Sequence, residues 1–163
     1  MFSQTTEYAI RAMIDITTRP LGENVLAAQM GKSLGIPTHY LSKILQQLVR
    51  ARVLKSVRGR QGGFSLARPA EKIKLKEIVA PFEDLRKCEE CILGQPVCSD
   101  AGACPLHNFW AEVRTRYLDE LNSRTLAELG EFQLRRLATM SASMRGKLQS
   151  APGMDAFKTQ QKS

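Results

Sequence analysis

Helical periodicity along most of the chain, one glycine-rich hairpin and a near-heptad stripe beyond the middle predict a mainly α fold with a small β-wing. The expected arrangement is a winged helix-turn-helix followed by a long dimerisation helix, assembled as a homodimer. The 163 residues allow one domain of ordinary size with an appended helix, and hardly two independent cores.

The first helix is expected over Thr5 to Thr18, where Ala9, Ala12, Met13 and Ile16 recur at i, i+3, i+4 and i+7; Pro20 and Gly22 end it. A short second helix covers Leu26 to Leu34 and stops at Gly35-Ile36-Pro37. A third starts with Thr38 as its N-cap and carries the stripe Leu41, Ile44, Leu45 and Leu48. Off that stripe stand His39, Tyr40, Ser42, Lys43, Gln46, Gln47 and Arg50. None is acidic, and most can donate hydrogen bonds to bases or phosphates.

Val53 to Val57 and Phe64 to Ala67 read as paired strands around Arg58-Gly59-Arg60-Gln61-Gly62-Gly63. Three glycines there permit positive φ and a tight hairpin, and two arginines at its tip suit phosphates or a narrow minor groove. Beyond Pro69, the residues Ile73, Leu75, Ile78, Val79 and Phe82 predict a short helix packed on this unit. A long helix is expected from Pro105, an allowed first-turn position. Its stripe of Leu106, Trp110, Val113, Tyr117 and Leu121 suits a core or a helix pair, and its length favours dimerisation. Thr125-Leu126-Ala127-Glu128 fits a capping box and opens a last helix with Leu129, Phe132 and Leu137. The resulting divisions are 1–83 for the winged unit, 84–104 for a cysteine-rich loop, 105–140 for the two C-terminal helices and 141–163 for a mobile tail. The chain contains no internal repeats.

The net charge of +8 is concentrated in one segment. Between Asn24 and Ala70 there is no Asp or Glu, while Lys32, Lys43, Arg50, Arg52, Lys55, Arg58, Arg60 and Arg68 all fall there. Elsewhere acids and bases balance. A one-signed block repels itself unless a polyanion neutralises it, and phosphate is the usual polyanion. No apolar run is long enough to span a bilayer, and the N-terminus lacks a secretory pattern, so a cytoplasmic protein with no membrane partner is expected.

All four cysteines lie in one short stretch: Cys88, Cys91, Cys98 and Cys104, with His107 following. Structural disulfides suit secreted proteins, which leaves metal binding or thiol redox chemistry. Cys-x2-Cys is a common half of a zinc site, but the other spacings are unequal and the loop is broadened by Gly94, Pro96, Gly102 and Pro105. Such a loop suits an iron–sulfur cluster, whose iron atoms are spread over several ångströms; by spacing alone, cluster and zinc both stay open. A small thiol oxidoreductase built on Cys88 and Cys91 is disfavoured by Glu89 and Glu90, whose charges oppose thiolate formation between them. There is no nucleophilic triad, P-loop or paired-carboxylate pattern, so no enzyme is expected.

In combination these segments resemble the bacterial winged-helix regulators that include IscR, NsrR and RirA, also described as BadM-like. The resemblance covers residues 1 to 130. It rests on Thr6-Glu7-Tyr8-Ala9, Gly35-Ile36-Pro37-Thr38-His39-Tyr40-Leu41, Ser56-Val57-Arg58-Gly59 with Gly62-Gly63-Phe64, Leu66-Ala67-Arg68-Pro69, the cysteine loop and Thr125-Leu126-Ala127-Glu128-Leu129.

The resemblance implies a homodimer on a palindromic operator in double-stranded DNA, with the third helix in the major groove. Candidate DNA contacts are Thr38, His39, Tyr40, Ser42, Lys43 and Gln46 on that helix, with Arg58 and Arg60 in the wing. It also implies a cluster, 2Fe–2S or 4Fe–4S, on Cys91, Cys98 and Cys104. The fourth ligand has three candidates: His107, Glu7 reaching from the partner subunit, and Cys88, an extra thiol outside the family pattern. The expected signal is iron, nitric oxide or redox state. The alternative is a regulator with structural zinc or thiol-redox sensing and no cluster.

Overall fold

The structure is a computed structural model that describes residues 2–20, 22–60, 62–96 and 99–149, the stretch 141–149 as backbone. Three helices close the first core because their apolar stripes meet. Helix α1 (Gln4–Thr17) is capped by Ser3, whose hydroxyl accepts from the Thr6 N–H, and it buries Ala9, Ala12, Met13 and Ile16 as its spacing demands. Helix α2 (Ala27–Leu34) contributes Met30, and α3 (Thr38–Arg50) contributes Leu41, Ile44, Leu45 and Leu48. Thr38 is the first residue of α3 and not its cap. Pro37 holds the cap position with no side-chain hydrogen bond, its ψ of 126° turning the chain into the helix. Past the end of α3, Arg52 adopts φ +59° and lets the Val53 N–H reach back to the Leu48 carbonyl at 3.1 Å.

Strands β1 (Leu54–Val57) and β2 (Gly63–Leu66) pair antiparallel, Leu54 opposite Leu66 and Val57 opposite Gly63. Val25 extends the sheet: it exchanges both backbone hydrogen bonds with Phe64, each 2.9 Å. Gly63, at φ +139°, is required by this approach, since a Cβ there would lie 2.6 Å from the Val25 carbonyl oxygen. Arg68 locks the base of the wing, donating to the Arg52 carbonyl (2.7 Å) and the Lys72 carbonyl (3.1 Å) and pairing with Glu77.

Helix α4 is shorter than the apolar spacing predicts, Leu75–Val79, because the preceding turn at Ala70–Lys72 and the segment after Ala80 carry Ile73 and Phe82 against the core. Helix α5 (His107–Ser123) starts two residues beyond Pro105, which stands in the turn before it. The predicted capping box opens α6 (Leu126–Gln149): Glu128 Oε2 accepts from the Thr125 N–H at 2.6 Å, and the Glu128 N–H donates to Thr125 Oγ1 at 3.3 Å. The junction of α5 and α6 is sewn to α4 through Leu75 N–H to Arg124 carbonyl (3.0 Å) and Leu126 N–H to Ile73 carbonyl (2.8 Å).

The division expected at Ser141 falls within α6, which continues to Gln149. Ala138, Ala142, Met144, Arg145, Lys147 and Leu148 are strong helix formers, and they outweigh the scarcity of large apolar residues that predicts a tail. Residues 150–163 lie outside the described residues. No helix among the described residues is long and apolar enough to cross a membrane.

Candidate nucleic-acid interface and cysteine loop

The stripe that buries Leu41, Ile44, Leu45 and Leu48 turns the other residues of α3 outward. Thr38, His39, Lys43 and Gln46 are exposed, as are Gln47 and Arg50. Ser42 is half-buried and its hydroxyl donates to the Thr38 carbonyl at 2.8 Å. Tyr40 differs from its neighbours: it is half-buried, its hydroxyl lies 2.5 Å from Thr5 Oγ1, and its ring meets Tyr8 edge-on with centroids 6.0 Å apart.

At the wing tip Arg58 and Arg60 are both exposed. Gly59 at φ +108° and the Gly62 N–H donating to the Gly59 carbonyl (3.0 Å) fold the turn that presents them. Of the eight cations between Asn24 and Ala70, only Arg68 forms an ion pair among the described residues; the other seven are exposed. Their charge is therefore left uncompensated by the described residues, along α2, the outer face of α3 and the wing.

The cysteine loop is rooted on both sides. Cys88 lies in a 3₁₀ turn, Leu85–Glu89, that Asp84 caps by accepting from the Arg86 N–H, while the Arg86 guanidinium grips the same carboxylate at 2.9 Å. The Arg86 guanidinium holds the Asp84 carboxyl below its ordinary range. From α5, the Trp110 indole N–H donates to the Glu90 carbonyl at 2.9 Å and Arg114 to the Glu89 carbonyl at 3.3 Å. These two bonds fix the backbone immediately before Cys91. Cys104 ends the loop, its carbonyl accepting from the His107 N–H at 3.0 Å.

Cys88, Cys91 and Cys104 are all half-buried. Cys98 lies outside the described residues. The imidazole of His107 meets Asp100 at 3.0 Å through Nε2, and its side chain is 14 % exposed. Glu7 is exposed on the first turn of α1, where the helix dipole favours a carboxylate in any case. Thiolate and imidazole are donor types that iron–sulfur clusters use. Among the described residues, however, no three His, Cys, Asp or Glu side chains converge as a metal-binding group. The chemistry of this donor set fits a cluster.

Sequence reasoning missed two features here. Glu83 accepts from both the Ser3 N–H and the buried Thr6 hydroxyl, a contact across nearly eighty residues that no local pattern announces. Phe109, 59 % exposed on α5, lies outside the predicted stripe, although its size and its place on that helix were available as a signal.

Comparison with known proteins places these elements. Residues 2–131 match the Rrf2 family model, described as an iron-dependent transcriptional regulator. A putative HTH-type transcriptional regulator of Aquifex aeolicus is 30% identical over 143 residues, covering 86% of this chain and 99% of the relative. Among solved structures, IscR of T. potens superposes with a TM-score of 0.64 at 27% identity, covering 82% of this chain and 88% of that one. CymR, the global cysteine regulator of B. subtilis, shares the fold with a TM-score of 0.66 at 24% identity, over 81% of this chain and 97% of its own. A winged helix-turn-helix with an acid-free basic face, joined by a cysteine loop to a long helix and matched over residues 2–131, makes this chain a transcriptional regulator of the Rrf2 family.

Proposed function

We propose that this regulator binds palindromic operator DNA as a cytoplasmic homodimer, under the control of an iron–sulfur cluster on the cysteine loop. The supporting observation is the loop's anchorage: the backbone preceding Cys91 is tied to α5 by Trp110 and Arg114, so the order of the loop and the position of the helix that carries the exposed apolar residues are linked. Cys91, Cys98 and Cys104 would hold the cluster, with His107, Glu7 of a second copy or Cys88 as the fourth ligand. When bound, the cluster supplies a redox-active, labile centre whose loss or modification is the signal. The chain's own part is mechanical. Thr38, His39, Ser42, Lys43 and Gln46 approach the major groove, Arg58 and Arg60 meet phosphates or the minor groove, and α5 sets the spacing of two such units.

Absorption spectroscopy on protein purified without oxygen, with iron, sulfide and zinc assayed on the same sample, tests the cluster. Broad visible absorbance with matched iron and sulfide is expected. A protein that stays colourless after anaerobic reconstitution and carries one zinc per chain would overturn the cluster. The second reading, zinc or thiol-redox control of the same DNA-binding dimer, would then stand.

A further inference from the structure

The cysteine loop and the recognition helix α3 are both fastened to the opening of α1. At the root of the loop, one oxygen of Glu83 accepts the Ser3 N–H at 2.7 Å and the Thr6 hydroxyl at 2.6 Å. Thr6 is fully buried, and the Ser3 hydroxyl caps the helix by accepting from the Thr6 N–H at 3.4 Å. Cys88 follows in the next turn. On another side of the same helical turn, Thr5 Oγ1 holds the Tyr40 hydroxyl at 2.5 Å, and Tyr8 supports the Tyr40 ring. Gln4 donates to the Tyr8 hydroxyl at 3.0 Å, while Arg11 lies 5.7 Å over that ring and donates to the Leu34 carbonyl at the end of α2 at 2.6 Å. Phe2 adds a ring contact to Tyr117 of α5, with centroids 6.3 Å apart.

Thr5 and Thr6 are consecutive residues of one helical turn, about 100° apart around its axis. They cannot be displaced separately without breaking that turn. Whatever withdraws Glu83 loosens the cap of α1, and the loosened turn carries Thr5 with it.

We infer that Glu83 and Tyr40 are positioning residues at the two ends of a latch through the first turn of α1, by which the cysteine loop sets the seat of the recognition helix within one protomer. Tyr40 serves DNA recognition by holding α3 and not by reading a base. The inference rests on the reading that the cysteine loop controls DNA binding. It adds a route inside each subunit to the one through α5. Energetic coupling between two sites is reciprocal, so a perturbation at either end must register at the other.

Amide hydrogen exchange followed by mass spectrometry on the full chain, purified without oxygen, tests the latch. Glu83→Ala is expected to speed exchange at residues 39–43 by about tenfold, the size of one net hydrogen bond. Tyr40→Phe, which keeps the ring and removes only the hydroxyl, is expected to speed exchange at 84–91 by a similar factor. Strands β1 and β2 should be unchanged in both. Glu83→Gln retains an acceptor oxygen and should restore most of the protection. Thr6→Val removes one of the two bonds at constant shape and supplies the same test if Glu83→Ala fails to fold. The latch is overturned if Glu83→Ala affects only residues 3–8, or if Tyr40→Phe leaves 84–91 untouched. Retention of fragmented genomic duplex DNA by the wild-type chain is measured separately: its failure would remove the DNA-binding reading, whereas the exchange pattern alone decides the latch.

Discussion

At the scale of single residues, the Glu83 carboxylate ties the start of α1 to the segment before the cysteine loop. The Thr6 hydroxyl first, and then the Ser3 N–H, hydrogen-bond its carboxylate and hold its pKa below the ordinary value of 4.5. A depressed folded-state value stabilises the fold above the unfolded-state pKa, and the contribution disappears as pH falls through the lower folded value. Urea denaturation of the wild type should therefore lose stability below about pH 4.5 more steeply than that of Glu83→Gln. Parallel profiles would show that Glu83 makes no such contribution. The two ends of the latch differ in legibility. Tyr40 is visible in the sequence as a residue on the polar side of its helix, but its role is not, since a phenol facing outward and one tied to Thr5 look the same there.

At the scale of elements, α6 packs on α1 where a glycine allows close approach. Gly130 is buried, and a Cβ at that position would lie 2.3 Å from Thr17 Oγ1 and 3.0 Å from Thr17 Cβ. Because Thr17 is β-branched and its hydroxyl is committed to the Ile14 carbonyl at 2.7 Å, it has little room to yield. Gly130→Ala should cost about 1–3 kcal/mol despite its higher helix propensity. Thr17→Ala in the same chain should recover most of that loss in thermal melts; a stabilised single variant would mean that the helices separate freely. The wing makes its own prediction. Replacing Arg58 and Arg60 with Ala should weaken DNA binding and lower the log–log salt slope by about 0.9 for each phosphate that these side chains neutralise, read from titrations across ionic strength. An unchanged slope would take the wing off the backbone.

At the scale of the whole molecule, several large apolar side chains on α5 and α6 stand exposed among the described residues. Leu106, Phe109, Val113 and Tyr117 on and just before α5, and Phe132, Leu137 and Met140 on α6, are all exposed in the single chain. A soluble monomer rarely leaves so many large apolar side chains in water, and a second copy is the expected cover. Sedimentation should show the wild type as a dimer of 18.2 kDa chains and the double variant Phe109→Glu, Val113→Glu as a folded monomer. A wild-type monomer at micromolar concentration would refute the dimer.

Local patterns in the chain announce the helices, the hairpin, the capping box at Thr125 and Glu128, and the acid-free segment from Asn24 to Ala70. Each of these is written within a few consecutive residues: apolar spacing, turn chemistry or charge. The tertiary structure decided what depends on residues far apart in the chain. Val25 became a third strand position because Phe64 offers it two backbone hydrogen bonds, and Gly63 leaves the space for that approach. Glu83 reached Ser3 and Thr6, Trp110 and Arg114 pinned the backbone before Cys91, and Tyr40 turned from the solvent to Thr5. Local patterns are set by backbone geometry and side-chain periodicity, which neighbouring residues share. A hydrogen bond across the chain exists only once packing has brought its donor and acceptor within about 3 Å.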